Sequence, residues 1–169
     1  MEKQNDIFTG DIFLKGKHAT YAKFFCPTPE KKDSFSDRKP ADIFKRVIDV
    51  YMMAAVIGLE HGLRASEDRA SADQAHIHAD VINREKLNLV FIFQLVMLVD
   101  NSQRLDADAK IARAFKNDDI KANFELFNSY VRGGIEWLYE RFTEGTTTHD
   151  DYISKIQDVV ADFKEEYGL

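Results

Sequence analysis

Two long apolar stretches, near residues 40–60 and 83–99, constrain this chain more than any other feature. In the first, Ile43, Phe44, Val47, Ile48, Tyr51, Ala54, Ala55 and Leu59 recur at helical spacing, and Val50, Met52, Met53 and Val56 widen the face. That pattern predicts a helix buried on most sides. Pro40 suits its first turn, where a missing N–H has no partner to lose, with Ser36 or Asp37 as the cap and Gly62 as the stop. The second predicts a helix over Asn83–Val99, with Leu87, Val90, Phe91, Gln94, Leu95 and Leu98 on one face and Phe93, Val96 and Met97 on the other. Seventeen residues exceed ordinary strand length. The expectation is that these two helices form the centre and the other segments wrap around them.

The rest of the chain reads as shorter helices. Residues 18–26 suit a short helix placing Tyr21, Phe24 and Phe25 toward the core, following an apolar cluster at Ile7, Phe8, Ile12, Phe13 and Leu14. Asp106 or Asp108 can cap a helix through Phe115, and Asn117-Asp118-Asp119 precedes a long helical pattern from Ile120. Gly133-Gly134 lies inside that pattern. Glycine costs about 1 kcal/mol against alanine there, so the pair predicts either a kink or the close approach of another backbone. Thr148 and Asp151 form a capping-box pattern for a last helix over 150–166, with an apolar stripe at Tyr152, Ile153, Ile156, Val159, Val160 and Phe163. Residues 65–80 read as a long polar connection with a short extended piece from His76 to Val81. The expected fold is all-α, an irregular orthogonal bundle of five or six helices, in one domain spanning 1–169 with a less regular, basic segment at 1–39.

Composition narrows function by exclusion. With 44% hydrophobic residues the chain can bury a core. Its longest nearly uncharged apolar run, Leu87–Val99, falls short of the roughly 20 residues a bilayer span needs. The opening Met-Glu-Lys-Gln-Asn-Asp lacks the plan of a secretory signal, so the expected compartment is the cytoplasm. A single cysteine, Cys26, allows neither an internal disulfide nor a cysteine metal cluster and reads as a buried inert thiol.

Five possibilities can be weighed on the residues themselves. His76 and His78 point the same way on an extended segment, with Asp73 and Asp80 nearby and Glu60-His61 further off. No HExxH or ExxH pattern completes a ligand set, so the stretch reads as a polar loop and no metal or other cofactor is assigned. Neither a Gly-x-Ser-x-Gly elbow nor a phosphate-binding glycine loop is present. Residues 1–46 carry a net charge of +3 and the remainder −9. Within the basic part, Lys31, Lys32, Arg38, Lys39, Lys45 and Arg46 are candidate nucleic-acid contacts, interleaved with aromatics and diluted by Asp33, Asp37 and Asp42. With 13 Phe and 6 Tyr, the chain also has aromatics to spare for a protein interface, including one between copies of itself.

Two segments carry a resemblance: residues 43–59, IFKRVIDVYMMAAVIGL, and residues 130–138, YVRGGIEWL. They resemble small helical proteins encoded beside bacterial DNA phosphorothioation (Dnd) modification and restriction genes. Those proteins carry an Asp-x-Tyr/Phe-Met-x-Ala-Ala-x-x-Gly helix and a later Tyr-Ala-Asn-Gly-Gly segment. Val131 and Arg132 stand here in place of Ala-Asn. The resemblance implies an accessory of a DNA modification or defence system, with no catalytic residues to carry over. The expected function is therefore that of a non-enzymatic adaptor acting through a protein partner, with direct nucleic-acid binding as the rival.

Overall fold

A computed structural model describes residues 7–27, 43–116, 119–146 and 148–168. The chain runs β1 (Ile12–Lys15), α1 (Lys17–Phe24), α2 (Val47–Glu60), β2 (Gln74–Ile77), α3 (Ala79–Arg84), α4 (Lys86–Val99), α5 (Ala107–Phe115), α6 (Ile120–Thr143) and α7 (His149–Tyr167). The fold is mostly helical, as expected. It has seven helices among the described residues and one small antiparallel sheet. The extended piece expected from His76 to Val81 lies at 74–77 instead, as β2, and residues 79–84 form helix α3.

The sheet joins distant segments, with Ile12 opposite Ile77, Phe13 opposite His76, Leu14 opposite Ala75 and Lys15 opposite Gln74. Ile12, Leu14, Ala75 and Ile77 point inward and are buried, so alternate residues face solvent. The connection before β2 is tied to α1: Asp73 accepts from Thr20 at 2.7 Å and pairs with Lys23, while Asp68 accepts from the Lys17 N–H at 2.7 Å.

The centre differs from the expected one. The most extensive helix pairing is α2 with α6, and α4 flanks it. The helix α6 is 24 residues long, about 36 Å, and runs unbroken through Gly133-Gly134. A Cβ on Gly134 would lie 1.9 Å from the Ala54 carbonyl oxygen, one on Gly133 2.3 Å from that of Leu63, and one on Gly58 2.1 Å from that of Tyr130. Gly58 and Gly134 thus let the two helix backbones meet without side chains between them, and Gly133 does the same for the chain just after α2. Around this seam Tyr51, Phe127, Phe93 and Phe8 are fully buried, and Phe8 meets Phe93, Phe124 and Phe127 edge-on, with ring centroids 5.9–6.2 Å apart.

Helix boundaries follow local hydrogen bonding. The helix expected from Pro40 starts at Val47, with an extended Arg46 at its N-cap, because the Phe44 N–H donates to Phe25 O at 3.0 Å and is not free to enter a helical turn. Pro40, Ser36 and Asp37 lie outside the described residues. Helix α2 ends at Glu60 and Gly62 turns left-handed with φ 64°. The helix expected over 83–99 is two, interrupted at Glu85, whose carboxylate accepts from Asn88 and pairs with Arg46. Asp106 caps α5, Asp119 caps α6, and the Thr148–Asp151 capping box is formed.

Two helices are less buried than their patterns predict. Helix α4 buries Leu89, Phe93, Val96 and Met97, while its opposite face is open to solvent. Helix α7 buries only Tyr152 and rests Val159 on the core, leaving Ile153, Ile156, Val160 and Phe163 exposed. Arg141 pairs with Asp162, and the Tyr167 hydroxyl donates to Glu60, which holds the far end of α7.

Candidate partner-binding surface

Helix α4 presents the feature most in need of a function. Leu87 is 87% exposed and Phe91 66% exposed, one helical turn apart on the outer face, with Leu95 and Leu98 half-buried along the same side. On α5, Ile111 and Phe115 repeat the pattern four residues apart, each about half exposed. A scattered apolar side chain on a surface is ordinary, whereas apolar side chains aligned on packed helices are a candidate binding surface.

A buried polar network holds the C-terminal end of α4. Asp100, at the end of α4, is 2% exposed. It accepts from the Tyr130 hydroxyl at 2.6 Å, from the Ser102 hydroxyl and N–H at 3.1 and 3.2 Å, and from Arg113 Nη1 at 3.1 Å. Arg113 also donates to the Met97 carbonyl at 2.6 Å. One carboxylate therefore joins α4, α5 and α6. Burial pushes the Asp100 carboxyl up, but the hydrogen bonds from Tyr130, Ser102 and Arg113 outweigh it and hold the group below its ordinary range. Burial and the same bond push Tyr130 up to about 12.

On another side of the molecule, His18 is fully buried, with Nε2 2.8 Å from a Glu136 carboxylate oxygen that also meets Lys17 Nζ at 3.0 Å. Lys17, Arg64, Glu67, Asp68, Arg69 and Glu136 line an open polar depression there. His18 Nδ1 and Arg113 Nε are the buried side-chain polar atoms without a hydrogen-bond partner among the described residues. Burial holds the His18 imidazole below its ordinary value of 6.5, with Glu136 pulling the other way. The unfolded chain thus takes up a proton that the folded chain resists. This contribution to stability is complete above the ordinary histidine value and is lost as pH falls from there through the folded-state value. Thermal melts from about pH 8 to about pH 5 should show a decline in the melting temperature on the acid side that flattens in His18→Gln.

The basic candidates divide. Lys31, Lys32, Arg38 and Lys39 lie outside the described residues. Lys45 is exposed, whereas the Arg46 guanidinium is engaged by Asp49 at 2.6 Å and Glu85 at 2.8 Å. Cys26 is buried. Of the residues weighed as metal ligands, Asp73 pairs with Lys23, Asp80 pairs with Arg84 at 2.7 Å, Glu60 accepts from Tyr167, and the His61 ring stacks on Trp137. His76 and His78 remain together, and Asp11, which sequence spacing did not bring to them, joins them with Oδ2 2.8 Å from His76 Nε2. The Ala79 N–H, then His76, hold the Asp11 carboxyl below its ordinary range.

No helix of the described residues is long and apolar enough to cross a membrane. No curated protein and no solved structure matches this chain. Comparison with family models does give a match, over residues 32–166, which spans α2 to α7 and so includes the α2–α6 seam, the outer face of α4 and the Asp100 network. The chain belongs to the family described as DNA sulphur modification system-associated protein 4.

Proposed function

We propose that this protein is a non-enzymatic accessory of a DNA sulphur modification system that works by binding another protein of that system. The observation that carries the reading is the outer face of α4, where Leu87 and Phe91 stand in solvent on a helix whose other face is packed into the core. The partner that fits is a protein presenting a complementary apolar surface, since a few side chains buried near the centre of an interface carry most of its binding energy.

The test is co-expression with each other component of the modification system, followed by size-exclusion chromatography with light scattering. A stable complex is expected. The Leu87→Glu/Phe91→Glu variant should weaken it by about 2 kcal/mol or more while its own stability stays within about 0.5 kcal/mol of the parent for each exposed site. A protein that stays monomeric and retains none of those components overturns the reading. A homodimer lost in the same variant would assign the face to a second copy instead.

The charge partition favours one rival, direct nucleic-acid contact through Lys31, Lys32, Arg38, Lys39, Lys45 and Arg46 in the net-positive first 46 residues. It requires retention on DNA that falls steeply with salt. Charge reversal at Lys31, Lys32, Lys39 and Lys45 should abolish that retention; Arg46 is left out because its ion pairs hold α2 to Glu85.

A further inference from the structure

The outward face of the small sheet assembles a set of ligands that no single stretch of sequence contains. Asp11, just before β1, and His76 and His78, at and just after the end of β2, bring one ligand atom each to within 4.8 Å of one another. All three are exposed. The pleat explains why: His76 and His78 are two apart on an extended segment, and the antiparallel register that sets Phe13 opposite His76 brings Asp11 alongside His78.

The three groups are held in place by what surrounds them. Asp11 Oδ1 accepts from the Ala79 N–H at 2.8 Å, which turns Oδ2 toward His76 Nε2. The His76 ring lies between Phe13, stacked at 4.4 Å, and His78, whose centroid is 3.7 Å away. A hydrogen bond from backbone to a carboxylate is one of the outer contacts that orient ligands in metal sites.

We infer that Asp11, His76 and His78 form a binding site for one divalent transition-metal ion of the zinc class. Two imidazoles and one carboxylate are the donor set such ions prefer, whereas magnesium and calcium favour oxygen ligands throughout. Zinc–nitrogen and zinc–oxygen bonds are about 2.0–2.2 Å, so these exposed side chains rotate to converge on the ion. Three protein ligands leave a coordination position for water. The ion would join residue 11 to residues 76–78, so its first effect is to clamp β1 against β2 and the start of α3. This site is independent of the partner-binding reading, and it lies on a different part of the fold from α4.

The experiment uses the full chain freed of any histidine tag and of metal by chelation. Calorimetric titration with Zn²⁺ is expected to show one ion per chain, and Co²⁺ to give a visible absorption band. A hundredfold excess over Kd should raise the melting temperature by roughly 5 °C or more. Asp11→Asn keeps an oxygen for the Ala79 N–H but loses the carboxylate, and it should weaken binding by about tenfold or more, as should His76→Gln and His78→Gln. Their metal-free melting temperatures show that they fold. Absence of saturable Zn²⁺ binding, parental affinity in both histidine variants, or equal binding of Mg²⁺ would overturn the assignment.

Discussion

Gly134→Val is expected to lower stability by about 3 kcal/mol or more and the melting temperature by roughly 10 °C. The physical reason is where its Cβ would fall, 1.9 Å from the Ala54 carbonyl oxygen and 2.9 Å from the Ala54 Cα. Those atoms are backbone in the middle of α2, so no side-chain rotation relieves the clash and the two helices must part. Even Gly134→Ala should destabilise. In an ordinary helix interior that change gains about 1 kcal/mol, so the sign of the effect separates a packing role from a mere propensity cost. Gly10→Ala, where a Cβ meets nothing within 4 Å, is the control and should stay within about 0.5 kcal/mol of the parent. Denaturant unfolding monitored by circular dichroism measures all three.

Asp100→Ala should cost about 3–5 kcal/mol, the penalty for removing one member of a buried ion pair and leaving the other uncompensated. Arg113, 8% exposed in the parent, would keep its positive charge with the Met97 carbonyl but without its carboxylate partner. Much of the loss comes from that stranded charge rather than from the bonds removed. The double variant Asp100→Leu/Arg113→Met should therefore recover most of it. Because the folded-state Asp100 carboxyl sits below its ordinary value of 3.8, its contribution is present above that value and is lost as pH falls through the folded-state value. The parent should accordingly lose stability below about pH 4 more steeply than the double variant.

Much of the helical layout was legible because each helix announces itself within its own residues. Asp106, Asp119 and Thr148 cap as their positions suggest, and the apolar spacing of 47–60 and 86–99 is helical. What could not be read depends on pairings between distant residues. Alternation in four residues placed β2 only roughly, a couple of residues too late, and left β1 unread, because β1 finds β2 only across some sixty positions. The metal-ligand set was half visible for the same reason: His76 and His78 stand out as neighbours, while Asp11 becomes their third member only once the register is known. The apolar faces of α4 and α7 look like core in the sequence, since periodicity tells which residues share a side but not whether anything lies against it. Gly133-Gly134 announced an anomaly, and only the fold reveals which backbone, that of Ala54 and Leu63, lies against it.

The glycine seam has a mechanical consequence. Ordinary helix pairs slide and rotate past one another by letting side chains change rotamer, which makes small adjustments cheap. Here Gly58, Gly133 and Gly134 set main chain against main chain, and a shift along the axis would drive neighbouring side chains into peptide groups that have nowhere to go. The pair behaves as a keyed joint with one seating. Conformational change on binding a partner must then be taken up at the periphery, by the break at Glu85, the lightly fastened α7 and the sheet edge.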